Sequence, residues 1–341
     1  MSQVPAFAVI SGAQVHAAVA GREEEVVRMV ETAYRLHGEG RTINPDSYFL
    51  RFPDRPADRI IALPASVEGD VGVHGIKWIS SFPGNVARGF PRASAVLILN
   101  DAETGYPFAC LESSIISAAR TAASAALAAA ALADRRGDRP RRVGFVGGGL
   151  IARYIHTYLA ATGFTFDELA VHDLSAEHAA GFKGYLERTE KGVVTVHDTA
   201  ESLVRACDLI VFATVAGEPH VHDPAWFAHN PLVLHVSLRD LSPEIILESW
   251  NVVDDIEHCM KANTSPHLAE QRVGHRDFVA GTLYDVLTDR IAPPADRPVV
   301  FSPFGLGVLD LAVARHVYDE VAASGALHTV PDFFHDLSRH G

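Results

Sequence analysis

The chain has 341 residues, about twice the length of a typical single domain, so its length favours two domains. Hydrophobic residues make up 48% and charged residues 21%, the balance of a soluble globular protein with a large core. The chain has 29 Lys and Arg residues against 42 Asp and Glu residues. Its formal net charge of −13 argues against binding to nucleic acid or to an anionic membrane.

The cysteines and the apolar segments indicate a reduced protein outside the membrane. Cys110, Cys207 and Cys259 are far apart and odd in number, which excludes a disulfide framework and a CxxC zinc or redox motif. No formally charged residue precedes Arg22, so the basic region of a secretory signal is missing. The most apolar stretch, Ala125 to Ala133, is too short and too rich in alanine to span a bilayer. We therefore expect a cytoplasmic enzyme that acts on small molecules.

The first third of the chain predicts one helix followed by several strands. Arg22 to His37 places its apolar residues on one helical face, and Gly38-Glu39-Gly40 ends the helix. The strand patterns that follow are Tyr48–Arg51, Arg59–Leu63, Gly75–Ile79, Ala95–Asn100 and Tyr106–Leu111, the last two forming a hairpin. Ser117 to Ala133 is mostly alanine and predicts a long connecting helix.

Beyond this helix, short apolar strands alternate with helical segments, which predicts a parallel sheet with helices on both faces. The predicted strands are Arg142–Val146, Leu169–His172, Val193–Val196, Leu209–Thr214, Leu232–Val236, Val252–Asp254 and Val299–Phe301. A final amphipathic helix, Asp310 to Ser324, is expected to pack back on the first domain. The predicted fold class is therefore α/β, with a doubly wound parallel sheet over 121–305 inserted in a smaller α+β domain of 1–120 plus 306–341.

A glycine-rich turn directly follows the first strand of the inserted domain. Gly147-Gly148-Gly149-Leu150-Ile151-Ala152 has the form G-x-G-x-x-A between a buried strand and a helix. Gly147 permits the tight turn, Gly149 lets the backbone approach a pyrophosphate, and the helix start binds the phosphates. Asp173 closes the next strand, where a carboxylate binds the ribose hydroxyls and repels a 2′-phosphate. The pattern predicts a Rossmann-type domain that binds NAD rather than NADP; the alternative is a glycine turn with an ordinary helix cap at Asp173.

Cationic side chains occur where a nucleotide fold alone does not need them. Lys77 interrupts a strand of otherwise apolar residues. Because a buried lysine needs an anion beside it, a substrate carboxylate is an attractive partner. The alternative is an edge strand from which Lys77 faces water. Arg120 interrupts the alanine helix and can bind a carboxylate or pyrophosphate with two hydrogen bonds. The alternative is an internal salt bridge with a residue such as Glu112. Arg59 and Arg51 are further candidates for binding a carboxylate.

Asp240 follows a parallel strand at the edge where open α/β sheets bind their ligands. A carboxylate there can accept or return a proton as a carbon–nitrogen bond is oxidised and hydrated. The alternative is an N-cap for a helix that begins near Pro243. Among the 18 histidines, His220 and His222 are the closest pair, but no third ligand is evident nearby. Surface or structural histidines are the better interpretation, and we expect no metal.

The chain resembles the ornithine cyclodeaminase/mu-crystallin family over almost its whole length. The motifs that carry the resemblance are Gly75-Ile76-Lys77, Arg120-Thr121-Ala122-Ala123, Gly147-Gly148-Gly149-Leu150-Ile151 and Val236-Ser237-Leu238-Arg239-Asp240. Within the family, the stretches 57–64, 75–79, 92–101 and 112–123 are similar to the branch of N-[(2S)-2-amino-2-carboxyethyl]-L-glutamate dehydrogenases, which act in 2,3-diaminopropionate biosynthesis. After Asp240 the sequence departs from the cyclodeaminases, which argues against ornithine cyclisation.

The resemblance implies roles for individual residues. Lys77 and Asp240 would be catalytic, with Asp240 in acid–base work. Substrate carboxylates would be bound by Arg51, Arg59, Lys77 and Arg120. The cofactor would be NAD, contacted by Arg92, Arg120, Gly147, Gly149, Leu150, Ile151, Asp173, Thr214, Ser237 and Gly305. The domain of 1–120 plus 306–341 would bind substrate and form a homodimer, and 121–305 would bind NAD.

The resemblance also implies a reaction, in which the α-carbon of the glutamate moiety loses hydride to NAD⁺ and the resulting ketimine is hydrolysed. The products would be L-2,3-diaminopropionate, 2-oxoglutarate and NADH, used for a siderophore or a peptide antibiotic. The alternatives are an ornithine cyclodeaminase, a ketimine reductase or amino-acid dehydrogenase, and a nucleotide-binding protein without turnover.

Overall fold

The computed structural model describes residues 6–335, and the chain divides into two compact units. The first unit comprises Met1–Arg120 and Leu306–Gly341, and the second comprises Thr121–Gly305. The first unit is thus built from both ends of the chain, and the second is inserted between them in sequence.

The first unit contains a sheet of eight strands. In chain order the strands are β1 (Phe7–Ile10), β2 (Thr42–Ile43), β3 (Tyr48–Phe52), β4 (Arg55–Val67), β5 (Val73–Ser81), β6 (Ala93–Asp101), β7 (Pro107–Glu112) and β16 (His328–Val330). Their order is β16-β1-β7-β6-β5-β4-β2, and β3 pairs with β4 beside β2. All neighbours are antiparallel except β1 and β7, which are parallel. Because β5 pairs with a strand on each side, it is a central strand.

Helices cover one face of this sheet. They are α1 (Gly12–Val19), α2 (Glu23–Gly38) and α11 (Gly307–Ala323), and a 3-10 helix spans Pro83–Arg88. Helix α11 packs against β4, β5 and α2, which confirms that the final helix returns to the first unit. The approach to β5 is close, since a Cβ on Gly75 would lie 2.8 Å from the Leu311 side chain and 2.3 Å from the Ile98 carbonyl oxygen. On this face of β5, Val73, Lys77 and Ser81 are buried, and Gly75 and Ile79 are partly exposed.

Helix α3 (Ser114–Arg136) is longer than the predicted alanine helix, and Thr121, the first residue of the second unit, lies within it. By length and composition alone, its 23 residues are long and apolar enough to cross a membrane. The prediction from Ala125 to Ala133 therefore underestimated the length of the apolar segment. Of its most apolar window, 72% is buried inside the protein. Such burial is typical of a core helix, because small alanine side chains let neighbouring backbones approach closely.

The second unit contains a sheet of eight strands that are all parallel. The strands are β8 (Arg142–Val146), β9 (Glu168–His172), β10 (Val193–Val196), β11 (Leu209–Phe212), β12 (Leu232–His235), β13 (Trp250–Val253), β14 (Val279–Thr282) and β15 (Val299–Ser302). Their order is β10-β9-β8-β11-β12-β15-β13-β14. The first five follow the 3-2-1-4-5 order of a Rossmann-type sheet, which confirms the predicted fold class. The order reverses between β8 and β11, where such folds bind their ligands.

Helices of the second unit connect these strands. They are α4 (Leu150–Ala161), α5 (Ala176–Thr189), α6 (Ala200–Ala206), α7 (Pro243–Glu248), α8 (Ile256–Cys259), α9 (Ser265–Val273) and α10 (Leu283–Leu287), with a 3-10 helix at Pro224–Phe227. Leu203, Phe212 and Ile245 belong to a buried apolar cluster that packs between strands and helices. The three inner strands β11, β12 and β15 carry only buried residues, as expected for a parallel sheet covered on both faces.

The predicted strands were right in position, and several were shorter than the observed strands, whereas Leu209–Thr214 and Leu232–Val236 extended beyond the observed β11 and β12. Strand β4 covers Arg55–Val67 rather than Arg59–Leu63, although Pro64 lies inside it. Its pairing with β3 ends at Ala62 and its pairing with β2 begins at Ser66, so no ladder bond requires the missing N–H of Pro64 on that side. Prediction missed α1 and the short strands β1, β2, β14 and β16. Strands β1 and β16 pair with partners far along the chain, which local patterns do not reveal.

Candidate functional site

The glycine-rich turn lies at the point where the strand order of the second unit reverses. Gly147 has a φ of 96°, and a Cβ there would lie 2.7 Å from the Ala213 carbonyl oxygen, so only glycine fits. Gly149 is the N-cap residue of α4 and supplies no capping side chain, and nothing lies within 4 Å of where its Cβ would be. The first N–H groups of α4, at Leu150 and Ile151, are therefore open to an anionic ligand, the arrangement that binds a pyrophosphate.

Asp173 holds this turn in place. Its Oδ2 accepts a hydrogen bond from the Gly148 N–H at 2.8 Å, and its Oδ1 accepts one from the Ser175 N–H at 2.9 Å. The N-cap of α5 is Ser175, whose side chain accepts from the His178 N–H, so Asp173 is not the helix cap that the alternative proposed. The carboxylate thus lies beside the glycine turn, within reach of a nucleotide that the turn would bind.

A second turn is organised by Asp254, which the sequence analysis did not select. Gly305 has a φ of 95° and donates its N–H to Asp254 Oδ2 at 2.6 Å. The Phe304 N–H donates to Asp254 Oδ1 at 2.9 Å. Asp254 is fully buried, and burial raises the pKa of its carboxyl against the effect of these hydrogen bonds. The feature of the sequence that could have identified Asp254 is its position directly after the apolar strand β13.

Asp240 is buried, and both oxygens of its carboxylate accept hydrogen bonds. Oδ1 accepts from the Thr214 hydroxyl at 2.5 Å and from His220 Nε2 at 3.0 Å, and Oδ2 accepts from the Ser237 hydroxyl. His235 Nε2 lies 3.3 Å from Oδ2 and accepts the Asp240 N–H at 3.1 Å. Burial acts to raise the pKa of Asp240, but hydrogen bonds from His220 and Ser237 hold it well below its usual range.

The loop before Asp240 is strained. Leu238 is buried and adopts a φ of 68°, a left-handed conformation that bulky side chains disfavour. Its carbonyl accepts the Ser265 N–H at 2.7 Å, and Arg239 donates to the Ala262 carbonyl at 2.9 Å. These contacts maintain the turn that buries Asp240. Since Ser242 is the N-cap residue of α7, the alternative of an Asp240 cap was wrong.

In the first unit, Lys77 and Arg120 share one buried carboxylate. Lys77 Nζ donates to Asp310 Oδ2 at 2.6 Å and to the Ser117 hydroxyl at 3.3 Å. Arg120 Nε donates to Asp310 Oδ1 at 3.1 Å. Lys77 has 1% of its side chain exposed and lies on the central strand β5, so the alternative of an edge lysine facing water was wrong. Arg120 does form an internal salt bridge, but with Asp310 rather than Glu112.

Three ionised groups leave this cluster with a net positive charge. Burial lowers the pKa of Lys77 to about 8, although the Asp310 carboxylate opposes this change. Among residues 6–335, the two Nη groups of Arg120 have no hydrogen-bond partner, and a planar guanidinium fork can bind a carboxylate with two parallel hydrogen bonds. Asp310 was not predicted from the sequence, although an acidic residue in the apolar start of α11 is a signal that could have identified it.

A second cationic group lies on the same face of the sheet as Lys77. Arg51 pairs with Arg59 across β3 and β4, Arg59 pairs with Ser81 across β4 and β5, and Arg92 Nη1 donates to the Ser81 hydroxyl at 2.7 Å. We call Arg51, Arg59 and Arg92 the arginine row. No member forms an ion pair with an acid within the described part of the chain.

The members of the arginine row repel one another. Burial lowers the pKa of Arg59, and the charge of Arg51 lowers it further. Burial and then the charge of Arg59 lower the pKa of Arg92. Like charges without a counter-ion are unfavourable, so an anion bound beside the row would be stabilised.

Each unit brings several of the predicted residues together. Within the first unit, Lys77 joins Arg120, and Arg51 and Arg59 join Arg92. Within the second unit, Thr214 and Ser237 both donate to Asp240. Thr214 also lies beside Gly147, since its backbone N is 3.2 Å from where a Cβ on Gly147 would be. Over residues 6–335, no three His, Cys, Asp or Glu side chains are arranged to hold a metal ion.

The lowered pKa of Lys77 makes a testable contribution to stability. Lys77 loses its proton near pH 8 in the folded chain but near pH 10.5 in the unfolded chain. Between these values the unfolded chain binds more protons, so this group makes stability rise with pH. We compare the free energy of unfolding of the wild type with that of Lys77→Met at each pH. The difference, wild type minus variant, should increase by up to about 3 kcal/mol between pH 8 and pH 10.5. Denaturant titrations at a series of pH values measure it, and a flat or falling difference would contradict the assignment.

Comparison with known proteins identifies the relatives of this chain. A relative from Staphylococcus aureus (strain NCTC 8325 / PS 47), N-((2S)-2-amino-2-carboxyethyl)-L-glutamate dehydrogenase, is 28% identical over 298 residues, which cover 84% of this chain and 87% of the relative. An archaeal alanine dehydrogenase dimer solved with bound NAD is 26% identical, with a TM-score of 0.85 over 96% of this chain and 99% of that one.

A third comparison has the highest identity of these three. The crystal structure of CmnK is 32% identical, with a TM-score of 0.85 over 97% of this chain and 100% of that chain. The sequence profile of the ornithine cyclodeaminase/mu-crystallin family matches residues 11–325. The chain therefore belongs to the ornithine cyclodeaminase/mu-crystallin family.

Proposed function

We propose that the protein is an NAD-dependent enzyme that oxidises N-[(2S)-2-amino-2-carboxyethyl]-L-glutamate and hydrolyses the resulting ketimine to L-2,3-diaminopropionate and 2-oxoglutarate. The observation that carries this proposal is the pair of cationic groups on one face of the first sheet. Family membership indicates chemistry at an amino-acid carbon–nitrogen bond, but the relatives above carry different names. The choice of substrate therefore depends on the charges of this chain.

The glycine turn supports NAD as the cofactor. NAD supplies the hydride acceptor when it is bound, and its pyrophosphate suits the open N–H groups of Leu150 and Ile151. Asp173 lies beside the turn, where its charge disfavours the 2′-phosphate of NADP. Thr214, Ser237 and Gly305 follow neighbouring parallel strands and would complete the site. The archaeal alanine dehydrogenase, 26% identical over almost the whole chain, was solved with NAD.

The two cationic groups of the first unit match a substrate with several carboxylates. Lys77 and Arg120 against Asp310 leave one net positive charge, enough for one carboxylate. Along β5, Ser81 lies four residues from Lys77 on the same face, about 14 Å away at the spacing of a strand. Long arginine and lysine side chains shorten the gap, so one extended molecule can contact both groups. The proposed substrate has three carboxylates, and the arginine row would bind those not held by Lys77 and Arg120.

The arginine row separates this substrate from two others known for the family. L-Alanine has one carboxylate and would leave the row without a counter-ion. L-Ornithine carries a cationic side chain, which the row would repel. The sequence after Asp240, Leu241-Ser242-Pro243, also departs from the cyclodeaminases. A dicarboxylate or tricarboxylate amino acid therefore fits better than either alternative.

In the proposed reaction, the substrate α-carbon loses hydride and becomes an iminium carbon. Lys77 and Arg120 hold a carboxylate and so orient that carbon, and the positive charges of the arginine row fix the rest of the molecule. Water then adds to the carbon, a proton leaves, and the carbinolamine collapses to 2-oxoglutarate and the free amine. The cluster around Asp240 would handle the protons of this hydrolysis.

We also propose that the enzyme is cytoplasmic. Cys110, Cys207 and Cys259 are all free. Burial raises the pKa of each thiol, so these side chains are kept as unreactive thiols, as suits a reducing compartment.

A second copy of the chain is the proposed partner, bound at the first sheet. Tyr48, Ala62, Trp78 and Val96 pair in succession across four strands, on the face opposite Lys77. Tyr48 is 71% exposed, and Trp78 and Val96 are 42% and 43% exposed. A contiguous apolar row in contact with water marks an interaction surface, and the archaeal relative is described as a dimer.

Incubation of the enzyme with NAD⁺ and the glutamate conjugate tests the proposed reaction. We expect NADH, L-2,3-diaminopropionate and 2-oxoglutarate in equal amounts, and a rate at least tenfold lower with NADP⁺, since Asp173 repels its phosphate. Absorbance of the nicotinamide and mass detection of both products measure the outcome. Ornithine and alanine are the parallel substrates, and faster turnover of either would overturn the proposal.

A variant of the arginine row shows whether this row selects the substrate. Arg59→Leu should raise the KM for the conjugate at least tenfold and leave the Kd for NAD unchanged, because it removes one counter-charge from a distal carboxylate. Arg28→Leu, on the exposed surface of α2, is the matched control. Equal KM values for Arg59→Leu and wild type would show that the row does not bind substrate.

The dimer surface makes a separate prediction. Trp78→Asp places a charge in the middle of the apolar row and should convert a dimer of the 36.8 kDa chain to a monomer in sedimentation experiments. Val193→Asp, on an exposed edge strand of the second unit, should leave the dimer intact. A wild-type monomer, or a dimer that survives Trp78→Asp, would contradict this interface.

A further inference from the structure

In the cluster around Asp240, His220 is the titratable side chain that is exposed to solvent. The carboxylate of Asp240 and the ring of His235 are fully buried, whereas 42% of the His220 side chain is exposed. Both oxygens of Asp240 also accept hydrogen bonds already, two at Oδ1 and one at Oδ2. Because Asp240 is 0% exposed, a water bound at the surface of the cluster contacts His220 rather than the carboxylate.

The structure fixes the orientation of the His220 ring. Nε2 lies 3.0 Å from Asp240 Oδ1, and a carboxylate oxygen only accepts, so Nε2 carries the proton and Nδ1 carries the lone pair. The His220 N–H also donates to the Asp240 carbonyl at 3.0 Å, which ties the two residues by both backbone and side chain. Within residues 6–335, Nδ1 has no hydrogen-bond partner. Its lone pair is therefore available to a bound water.

His235 cannot take this role. Its Nε2 accepts the Asp240 N–H at 3.1 Å, and its Nδ1 lies 3.2 Å from the Ser302 hydroxyl in the core. Both ring nitrogens are thus engaged and away from solvent. The charged and titratable groups around His220 are Asp240, which contacts it, His235 behind Asp240, and Glu218 and His222 along the chain.

We propose that His220 is the catalytic base and acid of the hydrolytic step, and that Asp240 is the positioning residue that fixes its ring. This inference rests on the proposed function, in which water must add to a carbon–nitrogen double bond. The cluster also lies next to the nucleotide turn, because Thr214, which donates to Asp240, packs against Gly147.

Hydrolysis of the iminium carbon requires proton transfers in both directions at His220. His220 Nδ1 takes one proton from water as the water oxygen forms a bond to the iminium carbon, which gives a neutral carbinolamine. The imidazolium returns that proton to the nitrogen, the carbon–nitrogen bond breaks, and the hydroxyl proton leaves as the 2-oxo group forms. One net proton is released, and the electrons have already passed as hydride to NAD⁺. Asp240 stays ionised throughout and stabilises the imidazolium.

The test compares His220→Gln with His222→Gln. Glutamine can keep the hydrogen bond to Asp240 but cannot exchange a proton, and His222 is an exposed neighbour outside the cluster. For His220→Gln we expect a normal burst of one NADH per site, then a steady rate at least 100-fold below wild type, the range that general acid–base catalysis contributes. The Kd for NAD should be unchanged. His222→Gln should behave as wild type.

Chemical rescue separates catalysis from structure. Added imidazole should restore at least a tenth of the lost rate to His220→Ala and have no effect on His222→Ala. A steady rate for His220→Gln within threefold of wild type, or a failure of imidazole to raise the rate of His220→Ala, would overturn the proposal.

The assays use both the glutamate conjugate and L-alanine, because the oxidation of either ends in water addition to a carbon–nitrogen double bond. A wild type that oxidises only alanine would overturn the proposed substrate, and the role of His220 would then be judged on alanine by the same criteria.

Discussion

The carboxylate of Asp310 makes it possible to bury a lysine in the core of the first unit. Without it, Lys77 would lose its hydration with no compensation, at a cost of several kcal/mol. With it, Lys77 and Arg120 are held at fixed positions, and the cluster keeps one unbalanced positive charge. Such an arrangement is poor for stability alone, because a neutral apolar core would serve as well. In the proposed function, this cluster is a preorganised binding site for a substrate carboxylate.

The remaining chemistry is distributed between rigid elements of each unit. The first unit offers cations on the face of a sheet, where Arg51, Arg59 and Arg92 add to Lys77 and Arg120. The second unit offers an open helix start after Gly149 and an anionic cluster around Asp240, both at the carboxyl ends of parallel strands. In the proposed function, the first unit binds the charges of the substrate and the second unit binds the nucleotide.

Local sequence patterns sufficed for the nucleotide turn and for most strands and long helices. The G-x-G-x-x-A turn and Asp173 are close in sequence and have a fixed geometry, and periodicity shows which strands are buried. Asp310 could not be predicted in the same way, since 233 residues separate it from Lys77 and only the fold brings them together. His220 looked like a surface histidine because its partner Asp240 follows the next strand. The strands β1 and β16 were missed for the same reason, since their pairing partners are remote.

The binding of substrate to Asp310→Asn tests the central claim most directly. Titration calorimetry on Asp310→Asn should show an affinity for the glutamate conjugate at least tenfold below wild type and an unchanged affinity for NAD, because Lys77 and Arg120 lose their common anchor. Asp319→Asn, which removes an exposed ion pair on the same helix, should bind both ligands as wild type does. Equal affinity of Asp310→Asn and wild type for the conjugate would show that the buried carboxylate does not organise the substrate site.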